Sequence, residues 1–453
     1  MRNARFAAFA SAASLGLILA GCASGASTEA VSSVPDSTSS VAQQQSVSVQ
    51  TTQAATSSAP AASSVQAKDA STSVSLAAMR SDGLLDTSDM FTERDLEQEA
   101  DTAGAQSITL ADGQTTNITE EGVYLVSGSA SDATIRVEAD DNAKVQIVLD
   151  GASFTNASAP AIYVLSADKV FVTLVGENSI DVTGEFVADG DTNVDAAIFS
   201  KDDLVLNGTG SLNITSTANG ITSKDDLKVT GGTYNIEASH HALEANDSVR
   251  IANGTFNLVA GTDAIHCAND EDDTKGWVYI CGGTFIMTAG SDGIEGDAAV
   301  QIDAGDFTIT GAEGIEGTFV QINDGTIDVQ ASDDGINAPE KSSAYTPTIE
   351  INGGQITITM AQGDTDALDS NGYLYINGGV VDISAQFAFD FIAGAELTGG
   401  EVYVNGQQIT EITESMMMGG MGGMPGGDRG GGMGPQGDMG NMGGGQAPGG
   451  MPA

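Results

Sequence analysis

Acids recur in this 453-residue sequence at intervals that a merely solvated surface would not require. Ser291–Gly296 reads SDGIEG, Ala312–Gly317 reads AEGIEG, and Ser332–Asn337 reads SDDGIN. Aligning the central aliphatic extends the pattern over Ile198, Ile221, Leu243, Ile265, Ile294, Ile315, Ile336, Leu368 and Phe389. Two residues before it stand Asn219, His241, Asp263, Asp292, Glu313, Asp334 and Asp366. Just after it stand Glu244, His266, Glu295, Glu316, Asn337 and Asp369. Carboxylates at this density are hard oxygen ligands, and Ca²⁺ takes six to eight oxygens. The candidate metal ligands are therefore Asp263, Asp292, Glu295, Glu313, Glu316, Asp334, Asp366 and Asp369. A plainer reading stays open beside this one, because Asp before Gly is favourable turn chemistry by itself.

The spacing also says what must position these acids. Most successive aliphatics are separated by 21 to 23 residues. Two longer steps contain the insertions Ala268–Gly276 and Pro339–Pro347. A period in this range marks a repeat array. Within each unit, stretches such as "DLKVTGGTYNI" and "AVQIDAGDFTI" alternate at period two across a Gly-rich corner, which reads as two short strands. With the acidic motif as a third strand, no room remains for a helix. The expectation is an all-β, single-stranded parallel β-helix with coils of about 21 residues, each strand paired to its equivalent one coil away. The aliphatic then faces the core and its successor faces out. Equivalent acids would stand about 4.8 Å apart and repel by roughly 3.5 kcal/mol at an effective dielectric near 20. Bridging cations would relieve that repulsion.

Composition sets the wider frame. The formal net charge is −47, with 62 acids against 15 Lys plus Arg. Such a chain repels nucleic acid and anionic lipid headgroups. Residues 1–21 read as an export signal with basic Arg2 and Arg5, closing on LAGC at Leu19–Cys22. LAGC resembles the lipobox of bacterial lipoproteins, so lipidation at Cys22 and attachment to the extracytoplasmic side of the bacterial membrane are expected. Residues 22–80 read as a disordered Ser/Thr/Ala stalk, 81–412 as the β-helix, and 413–453 as a disordered Gly/Met-rich tail. Met90–Ala100 is expected to form a short helix over the open N-terminal end, with Thr92 as its N-cap. Cys267 and Cys281 remain after Cys22, and a disulfide between them stays open on sequence grounds.

The repeat "SKDDLVLNGTGSLNI…ANGITSKDDLKVTGGTYNI…SDGIEG…DDGIN", preceded by MFTERDLE and followed by the Gly/Met tail, resembles a family of bacterial surface proteins. These are described as carbohydrate-binding domain-containing proteins, with a right-handed parallel β-helix like that of pectate lyases. The resemblance implies several calcium ions along the coils and affinity for polygalacturonate-like polysaccharide. His241 and Asn219 depart from the acidic pattern at the earliest coils.

Three functions follow from the residues. A calcium-dependent module at the cell surface, monomeric, would bridge its acids to those of an extracellular polysaccharide. A lyase would need a base near the ion, and Lys201, Lys224, Lys228, Arg250 and Lys275 supply candidates. An adhesin or spacer would use neither. Neutral glycans would need aromatic platforms, for which Trp277, Tyr279 and Tyr375 are the outward candidates, with Tyr373 beside them. Tyr234, Phe256, Phe285 and Phe307 fall on the inward phase. No nucleophile triad, G-x-S-x-G or H-E-x-x-H occurs.

Overall fold

A computed structural model describes residues 76, 78–363 and 365–413. Cys22, the export signal, the stalk up to residue 75, Asp364 and the tail beyond residue 413 lie outside the described residues. The described chain contains 32 strands and no helix. The strands build one parallel β-solenoid of about 13 turns. Its mean spacing is about 23 residues rather than 21, because the insertions lengthen several coils.

Each regular coil has three strands, so the stack has three faces. The first face carries the acidic motif, in strands such as Asn219–Ser223, Leu243–Ala245 and Ile265–Cys267. The second contains Asp226–Val229, Ser248–Ile251 and Thr348–Ile351. The third contains Thr233–Ala238, Thr255–Ala260 and Gln355–Met360. In the middle of the stack the faces run together into continuous strands, Trp277–Ala289 and Asp292–Gly311.

The expected register holds residue for residue. Ile198 pairs with Ile221, Ile221 with Leu243, Leu243 with Ile265, and Ile265 with Ile294. The series then runs through Ile315, Ile336 and Leu368 to Phe389. It also extends upstream to Ile162 and Ile135, two rungs that irregular coil lengths hide in the sequence. All of these aliphatics are buried. A one-residue slip would turn each of them outward and the acid that follows each inward, so burial of this column fixes the register.

The third face adds an aromatic spine. Phe256, Phe285 and Phe307 stack with centroids 4.6 Å apart, and Tyr234 continues the stack above them. Gly254, Gly283 and Gly305 precede these rings at φ values of 149°, 113° and 138°. A Cβ at Gly305 would lie 2.7 Å from the Phe307 ring, so only glycine turns this corner.

The segment leading into the solenoid corrects two expectations. Met90–Ala100 forms turns, not a helix: Thr92 N–H donates to Asp95 and Asp95 N–H donates back to Thr92 Oγ1, which closes the turn after one step. The segment also does not cover the N-terminal end. It runs as a strap along the outside of the second face, where Asp95 is fully buried between Lys169 (3.3 Å) and Lys228 (3.6 Å). Gln98 reaches Thr230 and Gly208, while Leu84 and Leu85 N–H groups donate to Gln321 and Gln301. Leu76 and Met79 pack on the same apolar cluster, so ordered structure begins before residue 81.

At the far end, Gln407–Ile409 folds back antiparallel on Glu401–Val404 and ends the parallel ladder. Cys267 lies in the main core, whereas Cys281 lies under the strap in a separate cluster. Both are free thiols.

Candidate functional site

The two acid series converge into a single ladder on the edge of the first face. Backbone pairing places Glu244, His266, Glu295, Glu316, Asn337 and Asp369 on successive coils, as their spacing requires. The series continues to Asp390, one residue past the last aliphatic, which the same offset would have found. Residues of the other series slot between them. Among the described residues three groups form, each with ligand atoms within 4.8 Å of one another: His241, Asp263 and His266; Asp263, Asp292 and Glu295; and Asp292, Glu313 and Glu316.

The upstream end is satisfied without an ion. Glu244 accepts from Asn219 Nδ2 and Thr222 Oγ1, each at 2.7 Å, and pairs with Lys224 at 3.2 Å. Downstream the balance changes. Asp263, Asp292, Glu295 and Glu316 are all buried, and burial penalises their charged forms. Burial, then repulsion from Asp263 and Glu316, pushes Asp292 up to about 7. Burial and a hydrogen bond shared with Glu316 raise Glu313 far above the usual carboxylate range. Asn337 Nδ2 donates to both of these glutamates, at 3.0 and 3.1 Å.

Two cations belong to the chain itself. Burial opposes charge on His266, but Asp263 and Glu295 outweigh it and lift the imidazole to about 10. Lys341, on the Pro339–Pro347 insertion, reaches back to Glu295 and Glu316 and lies 3.8 Å from Asp297. Sequence reasoning missed Lys341 because its insertion returns to the ladder only in three dimensions.

Further down, burial and the surrounding acids lift Asp334 to about 6 and Asp369 to about 7. Asp390 contributes to both shifts. The Asp366 N–H donates to Asp334 Oδ1 at 3.1 Å. All eight expected ligands thus belong to one edge of the solenoid.

The aromatic candidates fare differently. Tyr279 points away from the core as expected, yet it is fully buried under the strap, its hydroxyl donating to Asp303 at 2.8 Å. Trp277 is half-buried beneath the Arg250 guanidinium, 4.9 Å from its ring. The strap's apolar residues claim this surface, so neither is an open platform. Tyr375 stacks on the exposed Tyr373 at 5.7 Å, on the second face and away from the acids.

Four of the basic candidates are also paired with acids, Lys224 with Glu244 and Lys275 with Asp247 among them. Lys228 is buried against Asp95, and Arg250 pairs with Asp226 at 2.7 Å. Lys201, Lys224 and Lys275 line a cleft of about 770 Å³ between the Ala268–Gly276 insertion and the first face. Asp247, Glu244 and His266 are among its other lining residues. In the acid-rich stretch from Asp189 to Asp195, Asp189 accepts from the Tyr163 hydroxyl at 3.1 Å and Asp195 from Asn193 at 2.7 Å.

A family model described as "Carbohydrate-binding domain-containing protein" matches residues 112–364 and 312–417. No curated protein matches the chain. A solved structure described as a polysaccharide lyase-like protein from C. thermocellum, in a gadolinium derivative, is similar at 24% identity with a TM-score of 0.38. That match covers 67% of this chain and 98% of the other.

Proposed function

Because the chain belongs to the family of carbohydrate-binding domain-containing proteins, we propose that it binds an acidic polysaccharide through calcium ions held on the ladder. The carrying observation is the run Asp263, Asp292, Glu295, Glu313 and Glu316, whose oxygens approach within 4.8 Å in overlapping groups while largely shielded from water. The donor set fits a hard divalent cation: it is all oxygen, rich in carboxylate, and too crowded to stay fully ionised alone. An ion so held keeps coordination positions for solvent or for a uronate carboxylate. It would turn a repulsive encounter between two polyanions into a bridged one. The net charge of −47 favours such a bridge if the glycan is acidic.

This reading includes attachment to the bacterial surface through lipid on Cys22, which would hold the solenoid near extracellular polymers. Retention on immobilised polygalacturonate with calcium and with a chelator tests it. Calcium-dependent retention, lost in Asp292→Asn/Glu295→Gln, is the expected result; retention indifferent to the chelator would sink the idea. Absorbance of unsaturated products near 235 nm on the same polymer would turn the reading toward a lyase.

A further inference from the structure

Near its upstream end the ladder changes chemistry. His241 occupies the position two before the aliphatic on one coil, and His266 the position after it on the next. The interlacing of the two series brings them to the same carboxylate. His241 Nδ1 lies 2.9 Å from Asp263 Oδ2, and His266 Nδ1 lies 3.2 Å from that same oxygen. The rings lie nearly parallel, 19° apart with centroids separated by 4.2 Å. Asp263 Oδ1 is turned away and held by the backbone N–H of Asp292 at 3.0 Å. The other oxygen therefore faces the imidazoles. Glu295 Oε2 approaches His266 Nδ1 at 2.8 Å. All four side chains are largely buried, so little ordering entropy remains to be lost on binding.

We propose that His241, Asp263 and His266 hold a transition-metal ion of the zinc class, a site chemically separate from the all-oxygen rungs below it. Imidazole nitrogens suit Zn²⁺, and calcium takes oxygen ligands. Two nitrogens and one carboxylate supply three protein ligands, the number that leaves a fourth position free in a tetrahedral zinc site. Glu295 borders the group through its contact with His266. His266 also lines the lysine-bearing cleft, which gives the ion a route in from solvent. Asp263 belongs to both this group and the next, so its carboxylate joins the zinc-class site to the oxygen rungs. The proposal does not rest on calcium or polysaccharide binding.

The test uses the full chain without a histidine tag, stripped of metal and titrated with Zn²⁺ against a chromophoric zinc indicator in a large excess of Ca²⁺. One equivalent of zinc should bind despite the calcium. His241→Ala and His266→Ala should each weaken it at least tenfold, in keeping with the loss of one of three ligands. His240→Ala, at the exposed neighbouring imidazole, should leave it unchanged. Cobalt in place of zinc should give visible ligand-field bands that both ladder-histidine variants lose. If an alanine variant fails to fold by circular dichroism, His241→Gln and His266→Gln keep the side-chain volume and give the same readout. Displacement of zinc by calcium, or unchanged zinc affinity in folded variants at both histidines, overturns the proposal.

Discussion

Lys341 sets its Nζ against the carboxylates of both Glu295 and Glu316, residues paired across one coil step. A lysine from a remote insertion thus sits where a divalent ion would otherwise bridge those rungs. Its own pKa is raised: burial opposes this, but the two glutamates prevail. Lys341→Met should lower stability without calcium by about 2 kcal/mol, less than a fully buried pair because the lysine is partly exposed. It should also tighten calcium binding at that rung. Urea unfolding and calcium titration of the same variant check both effects.

The pH dependence has a definite sign. Asp292 and Asp369 are raised to about 7 and Asp334 to about 6. Carboxyls raised in the folded state stabilise it fully only below their unfolded value of about 3.9, and that contribution is lost as pH rises through the folded pKa. In chelator, the thermal midpoint should therefore fall as pH rises from about 4 to 7. Calcium binds the ionised acids, so its stabilising increment should be small at the acid end and grow across the same window. An increment constant with pH would contradict the ladder as the binding site.

Strap and solenoid should unfold as one unit. Asp95→Asn leaves Lys169 and Lys228 facing a neutral amide in a buried site, at an expected cost of about 3 kcal/mol. Trp277, the only tryptophan, reports this change, because the strap's Met90 carbonyl accepts from the Arg250 guanidinium that covers its ring. Its emission should shift red in the variant and stay unchanged on adding polymer.

The aromatic spine should dominate local packing energy. Phe285 stacks between Phe256 and Phe307 and is almost fully buried. Phe285→Ala should destabilise by about 3–5 kcal/mol, measured by denaturant unfolding.

Tyr373 and Tyr375 test whether stacking contributes to glycan capture. If calcium bridges dominate, Tyr373→Ala/Tyr375→Ala should retain binding to polygalacturonate. A large loss would move the site to the second face.

Sequence by itself determined the coil register, the inward aliphatics and the membership of both acid series. These follow from a side-chain alternation of two and a repeat of nearly constant length, so linear offsets translate directly into neighbours in space. The same rule exposed Phe256, Phe285 and Phe307 as core. It failed wherever the chain leaves the repeat. Lys341 meets Glu295 from 46 residues away, and Asp95 meets Lys169 from 74. Neither contact follows from the repeat offsets, because insertions and straps are placed by the surfaces they cover. For the same reason Tyr279 carries an outward phase and yet has no access to solvent. Only the tertiary structure decided which acids already have a cation, which aromatics are covered, and where two histidines share one aspartate.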